Sequence, residues 1–137
     1  MSACDRCGAA TVRIVAVEDS GLPHGHRDHA FAHSTEDVHA CPSGHGLAVH
    51  HSHDCFQPPW EEDWEMSWRW RLSPDSVAAL RRGMASCPAP LDGRCACPAH
   101  LALREQKGVF ARHGHPTVAI VLGGDGLPRY AEDVTGP

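Results

Sequence analysis

The 137 residues contain a single lysine, no asparagine, two isoleucines and one tyrosine. Twelve basic residues stand against seventeen acidic ones, for a formal net charge of -5. That balance excludes a chain whose main work is neutralising phosphates, because nucleic-acid binders draw much of their affinity from Lys and Arg. Nucleic acid is therefore not the expected partner. Long apolar runs are missing too. The longest, Val118 to Leu122, is far short of the roughly 20 residues needed to cross a bilayer, and no lipidation signature is present, so no membrane role is expected. The chain opens Met-Ser-Ala-Cys-Asp-Arg-Cys, without an apolar segment that would direct secretion, which makes the cytoplasm the expected compartment. Several catalytic signatures are also absent. There is no HExxH, no GxSxG, no phosphate-binding GxxxxGK[ST], and no HxE followed by the PCxxC of zinc deaminases.

What is present is seven cysteines and twelve histidines. A chain of this length has room for one domain with a modest core, and such domains often need a staple. In a reducing compartment, cysteines at ligand spacing are metal sites rather than disulfides. Bound zinc is the expected staple.

The pattern along the chain gives the elements. Thr11 to Glu18 (TVRIVAVE) is β-branched and apolar on both faces, the pattern of a buried strand. From His24 to Cys55 most of the histidines appear, mixed with Gly, Ser and Asp. This predicts loops or short strands without a helix. After Gln57-Pro58-Pro59, Met66, Trp68, Trp70 and Leu72 alternate with Glu65, Ser67, Arg69 and Arg71, the period-2 signature of a half-buried strand. Ser73-Pro74-Asp75 reads as a helix start, with Val77, Leu80 and Met84 on one face and an end near Ser86. Pro98 opens a second helical pattern through Ala99, Ala102, Leu103 and Phe110. Thr117 to Leu122 is a further buried strand, ended by a turn at Gly123-Gly124-Asp125-Gly126, and the residues beyond read as a tail. One domain over 1–137 is expected, with a Cys/His-rich part (1–56) and a strand-helix-helix-strand part (57–137).

Two cysteine groups carry the chemistry. Cys4-x-x-Cys7-Gly8 has the shape of a zinc knuckle, in which a tight turn makes two thiolates converge and backbone amides face the sulfurs. Cys41-Pro-Ser-Gly-His45 offers the second pair, with Cys-x3-His in place of Cys-x2-Cys. His39 and Cys55 compete with His45 for the fourth position. In this arrangement the first third of the chain resembles the zinc-ribbon class, in which knuckles at the ends of a β-hairpin share one metal. The resemblance implies a tetrahedral Cys3His site with Thr11 to Glu18 between the knuckles, although Gly44 stands where the second cysteine of the later knuckle would fall. The second group is Cys87, Cys95, Cys97 and His100, placed to pin the end of one helix to the start of the next. Four protein ligands would make either site structural.

His24-Gly-His26-Arg-Asp28-His29 resembles the HxHxDH signature of metallo-β-lactamase-fold hydrolases. The resemblance implies one metal on His24 and His26, a second on Asp28 and His29, and a metal-bound hydroxide attacking an ester, amide or thioester. That fold needs a longer chain, several strands before the motif and further His and Asp ligands on later loops, whereas here the motif begins at residue 24 and no convincing downstream partner follows. His51-Ser-His53-Asp-Cys55 would place His51, His53 and Cys55 on one face of an extended segment, a labile site for zinc, copper or nickel. Trp60 and Trp64, among Glu61, Glu62, Asp63 and Glu65, suit exposed anchors for a protein partner, while Trp68 and Trp70 suit the core. The expected whole is a small zinc-stabilised α+β domain with a zinc-ribbon-like N-terminal part, a short sheet and two short helices. The role expected of it is that of a non-enzymatic binding or regulatory module. A metal handler using the His-rich loops, or a metal-dependent hydrolase, are the alternatives.

Overall fold

The computed structural model describes residues 3–19, 31–55, 63–104 and 118–132, with side chains at all of these except 19, 31–34, 52–55, 63–66, 68, 118 and 132. The elements run β1 (Val12–Asp19), β2 (Phe31–Ala40), β3 (Gly46–Cys55), β4 (Asp63–Leu72), α1 (Pro74–Gly83), a helical segment α2 at 98–104, β5 (Val118–Leu122) and β6 (Pro128–Glu132). The first four strands form an antiparallel meander in the order β1-β2-β3-β4, and β5 and β6 form a separate hairpin. The expected small mixed α and β architecture, with two helices and antiparallel pairing, is the one adopted.

The period-2 pattern after Pro59 sets the faces of the sheet. Trp70 and Leu72 are buried while Ser67, Arg69 and Arg71 are exposed. Antiparallel partners share a face, so the register Val15↔Val38, Val38↔Ala48 and Ala48↔Trp70 makes one continuous apolar surface. Against it packs α1, through Val77 and Leu80. The Ser73 hydroxyl caps α1 by accepting the Ser76 N–H at 3.2 Å, with Pro74 opening the first turn and Arg81 and Arg82 in the last. The helix closes at Gly83 and continues as a turn through 86. Ser76, itself buried, accepts the Ile120 N–H at 3.1 Å and so ties β5 to the helix. Over 98–104 the Pro98 pattern is helical and buries Ala99, Ala102 and Leu103. Phe110 lies outside the described residues.

Two expectations are corrected. Between His24 and Cys55, where it is described, the chain forms long strands rather than short ones, joined by a turn at 41–45: β2 and β3 are ten residues each and pair along their whole length. Their alternation is hidden because polar residues occupy core positions. Glu36 and His50 face each other across the pair, 2% and 3% exposed, and His50 Nδ1 donates to Glu36 Oε2 at 3.0 Å. Burial raises Tyr130 well above its ordinary value, helped by the Glu36 charge and the hydrogen bond between them, and Trp70 meets the His50 ring edge to face at 6.3 Å. The second correction concerns the residues after the glycine-rich turn. They are not all tail, since Pro128–Glu132 forms β6 against β5 with Tyr130 buried. The turn closes a hairpin, with the Gly123 N–H donating to Leu127 O at 2.9 Å.

Candidate metal centres

The first centre follows from strand register. Val12 pairs with Ala40, so the chain entering β1 and the turn leaving β2 meet at one end of the sheet. The entering chain folds back on itself through Cys4 N–H to Ala9 O (2.7 Å) and Gly8 N–H to Cys4 O (2.8 Å), and the β2–β3 turn closes through Gly44 N–H to Cys41 O (2.9 Å). Both turns require a positive φ, 74° at Gly8 and 89° at Gly44, which glycine adopts without the penalty a Cβ imposes. Gly44, standing where a zinc ribbon places cysteine, is thus needed for backbone geometry, and His45 follows it.

The ligand atoms of Cys4, Cys7, Cys41 and His45 lie within 4.8 Å of one another. Cys7 Sγ is 3.7 Å from Cys41 Sγ, and His45 Nδ1 is 3.6 Å from Cys41 Sγ and 3.8 Å from Cys4 Sγ. A tetrahedral zinc with bonds of about 2.3 Å to sulfur and about 2.0 Å to nitrogen has edges of about 3.8 Å (S···S) and about 3.5 Å (S···N). The donor set therefore fits such an ion. His39 instead lies on β2 beside a surface groove, and Cys55 stands at the far end of β3. The Arg6 backbone N–H points at Cys4 Sγ (3.4 Å) and is the main cause that brings Cys4 down to about 6. Cys7 moves the other way. The Ala9 amide pulls it down, but the neighbouring Cys4 and Cys41 sulfurs and burial outweigh that and raise it.

The second centre is built on the other side of β1. Ligand atoms of Cys87, Cys95, Cys97 and His100 again lie within 4.8 Å of one another. Cys87 Sγ is 3.8 Å from Cys95 Sγ, and His100 Nδ1 is 3.3 Å from Cys87 Sγ and 3.2 Å from Cys97 Sγ. His100 is fully buried, and its Nε2 lies 3.0 Å from the Ala16 carbonyl. A carbonyl only accepts, so Nε2 carries the proton and Nδ1 presents its lone pair to the sulfurs. Ligating histidines are held by such a bond, which fixes tautomer and ring plane. Burial raises Cys87 to about 11. Burial also works against Cys97, but the His100 backbone N–H, with Cys87 and Cys95, hydrogen-bonds it and brings it to about 6.

This centre also closes the open edge of the sheet. The loop between Cys87 and Cys97 takes the Ala16 N–H on Pro90 O (3.0 Å) and the Glu18 N–H on Gly93 O (2.9 Å). Arg104 donates from Nε to Glu18 O (2.9 Å) and from its terminal nitrogen to Gly93 O and Cys95 O. Ala16 and Glu18 thus have both backbone groups engaged by the loop and α2, so the edge offers no template there for another strand. A Cβ at Gly93 would stand 2.8 Å from Glu18 Cβ, so glycine permits the approach. Ala16 and Arg104 are site residues that spacing could not reveal. The first contributes only a carbonyl, and the second carries no motif beyond standing one turn after His100.

No family model, curated protein or solved structure matches this chain. The donor sets therefore rest on geometry alone. Of the other sequence candidates, His24, His26, Asp28, His29 and Trp60 lie outside the described residues. So do the side chains of His53, Cys55 and Trp64, while the His51 ring meets the Ser67 hydroxyl at 3.0 Å. Among the described residues, no helix is long and apolar enough to cross a membrane.

Proposed function

We propose that the chain is a small cytoplasmic zinc-binding protein, zinc-ribbon-like in its N-terminal part, that serves as a non-enzymatic binding or regulatory module. The observation that carries this reading is the closed donor set. Each cluster offers four protein ligand atoms within 4.8 Å. Four protein donors fill a tetrahedral ion and leave no position for water or substrate, the arrangement of structural rather than catalytic zinc. The described cysteines form no disulfide with one another and gather instead in ligand clusters, which suits a cytoplasmic setting. The test is elemental analysis of untagged protein, followed by circular dichroism as a chelator is added. Two zinc per chain, with loss of structure on removal, is the expected result. A metal-free protein that stays folded would sink the reading.

A second reading, metal handling, has one observation in its favour. The β2–β3 register sets His33 opposite His53, and β4 sets Glu65 opposite His53 on the other side. It predicts weaker metal equivalents beyond the first two, lost together when His33, His51 and His53 are replaced.

A further inference from the structure

The face of the sheet away from the core carries a groove that runs from the first centre across the strands. Its volume is about 390 Å³, and it opens along the outer surface of β2, β3 and β4. Register builds it row by row: His39, Leu47 and Arg71 stand side by side, then Asp37, Val49 and Arg69. Leu47 and Val49 are half-buried and form an apolar floor, while Arg69 and Arg71 are exposed beside it. Cys4 and His45 of the first centre form the end wall.

The charges of the groove do not cancel evenly. Arg71 donates from Nε to Asp5 at 2.8 Å, and Arg13 pairs with Asp37 at 3.8 Å. Arg69 makes no ion pair with another described residue. It stands one extended repeat, about 6.8 Å, from Arg71, whose terminal nitrogens remain beyond the bond to Asp5. An apolar floor beside an unmatched guanidinium fits a carboxylate carried next to an apolar group. Phosphate polymers fit poorly, because Asp5 and Asp37 share the lining and the chain is at -5 overall. A free small acid would be covered on one side only, whereas small-molecule sites bury most of their ligand. An acidic protein segment has the length to cross an open sheet face, and Arg is the charged residue most enriched at such contacts.

We propose that this groove docks an acidic peptide segment of a protein partner, with Arg69 as the anchor, Arg71 as its support, and Leu47 and Val49 receiving an apolar side chain. The proposal rests on the binding-module reading and gives that module a ligand class. It also links ligand to metal: Asp5, which steers Arg71, lies in the turn between Cys4 and Cys7.

The test uses the full chain as purified with its metal and a fluorescein-labelled Glu-Glu-Leu-Glu-Glu peptide read by anisotropy. Lys-Lys-Leu-Lys-Lys and Ser-Ser-Leu-Ser-Ser are the controls. The acidic peptide should bind, weaken as salt rises and outcompete both controls. Arg69→Glu, a surface change that leaves metal content and circular dichroism as they were, should weaken binding at least tenfold. Asp5→Ala, which removes an acid from the lining and frees Arg71 without removing a metal ligand, should strengthen it several-fold. If the metal-loaded protein ignores the acidic peptide, or Arg69→Glu binds it equally well, the groove assignment falls while the module reading stands. If the purified chain holds no metal and is still folded, the module reading itself falls, whatever the peptide does.

Discussion

At the scale of single residues, the most consequential polar group outside the metal centres is the Glu36–His50 pair, buried on both sides and joined at 3.0 Å. Desolvating two such groups costs several kcal/mol, which their mutual attraction offsets only while both remain. Glu36→Leu alone should therefore lose about 3–5 kcal/mol, and the double change to leucine at Glu36 and His50 should recover much of that. Urea denaturation of both single variants and the double variant gives the coupling directly. The thiols make a second prediction at this scale. Cys97 sits at about 6 and Cys87 at about 11, on either side of the ordinary 9.0. The depressed group stabilises the native state above pH 9, and that contribution fades as the pH falls through about 6. The raised group stabilises it below pH 9, fading as the pH rises through about 11. At pH 7 Cys97 is already a thiolate, whereas Cys87 must lose its proton to bind metal. Zinc titration by calorimetry in buffers of different ionisation enthalpy should show about one proton fewer released by Cys87→Ser, with no such change for Cys97→Ser.

At the scale of elements, the second cluster is as much an edge cover as a candidate metal site. Replacing Cys95 by Ser should loosen the loop and expose the Ala16 and Glu18 amides, which face away from β2 and bond Pro90 and Gly93. The Val17 amide, between them in the strand, points toward β2 and should stay protected. Hydrogen exchange resolved by residue distinguishes this from general unfolding, in which all three would exchange together. The same scale shows which elements could be read from the chain and which could not. β1, β4 and α1 announce themselves because apolar side chains fall at the period of the structure they form. β2 and β3 do not, because Glu36 and His50 take core positions where the pattern demands apolar residues, and their pairing across strands, with the Tyr130 hydrogen bond to Glu36, makes those positions tolerable. β6 was hidden by brevity, its five residues following a glycine turn that could as well end the fold. The cysteine groupings were legible from spacing. The histidine's second bond was not, since Ala16 and His100 are 84 residues apart and one offers only a backbone atom.

At the scale of the molecule, the two centres hold different amounts of structure. The first joins the entry of β1 to the β2–β3 turn. Its Cys7 is exposed, and the strands it clamps are already paired along their length. The second ties the turn after α1, the edge of β1 and the start of α2 together, and α2 brings Ala99 and fully buried Leu103 into the core. Burying one leucine contributes about 1.5–3 kcal/mol, so release of α2 forfeits that burial along with the edge bonds and the metal. Cys97→Ser should accordingly lower the melting temperature more than Cys7→Ser, with both variants retaining the zinc of the untouched centre. Equal losses would mean that the metals stabilise the fold chiefly by cross-linking the unfolded chain. A larger loss for Cys7→Ser would place the weight of the fold at the N-terminal end of the sheet. The predicted order follows because the second centre ties the end of α1, the β1 edge and the start of α2 at one point, so its loss unfastens three elements, whereas loss of the first only parts the chain before β1 from the β2–β3 turn.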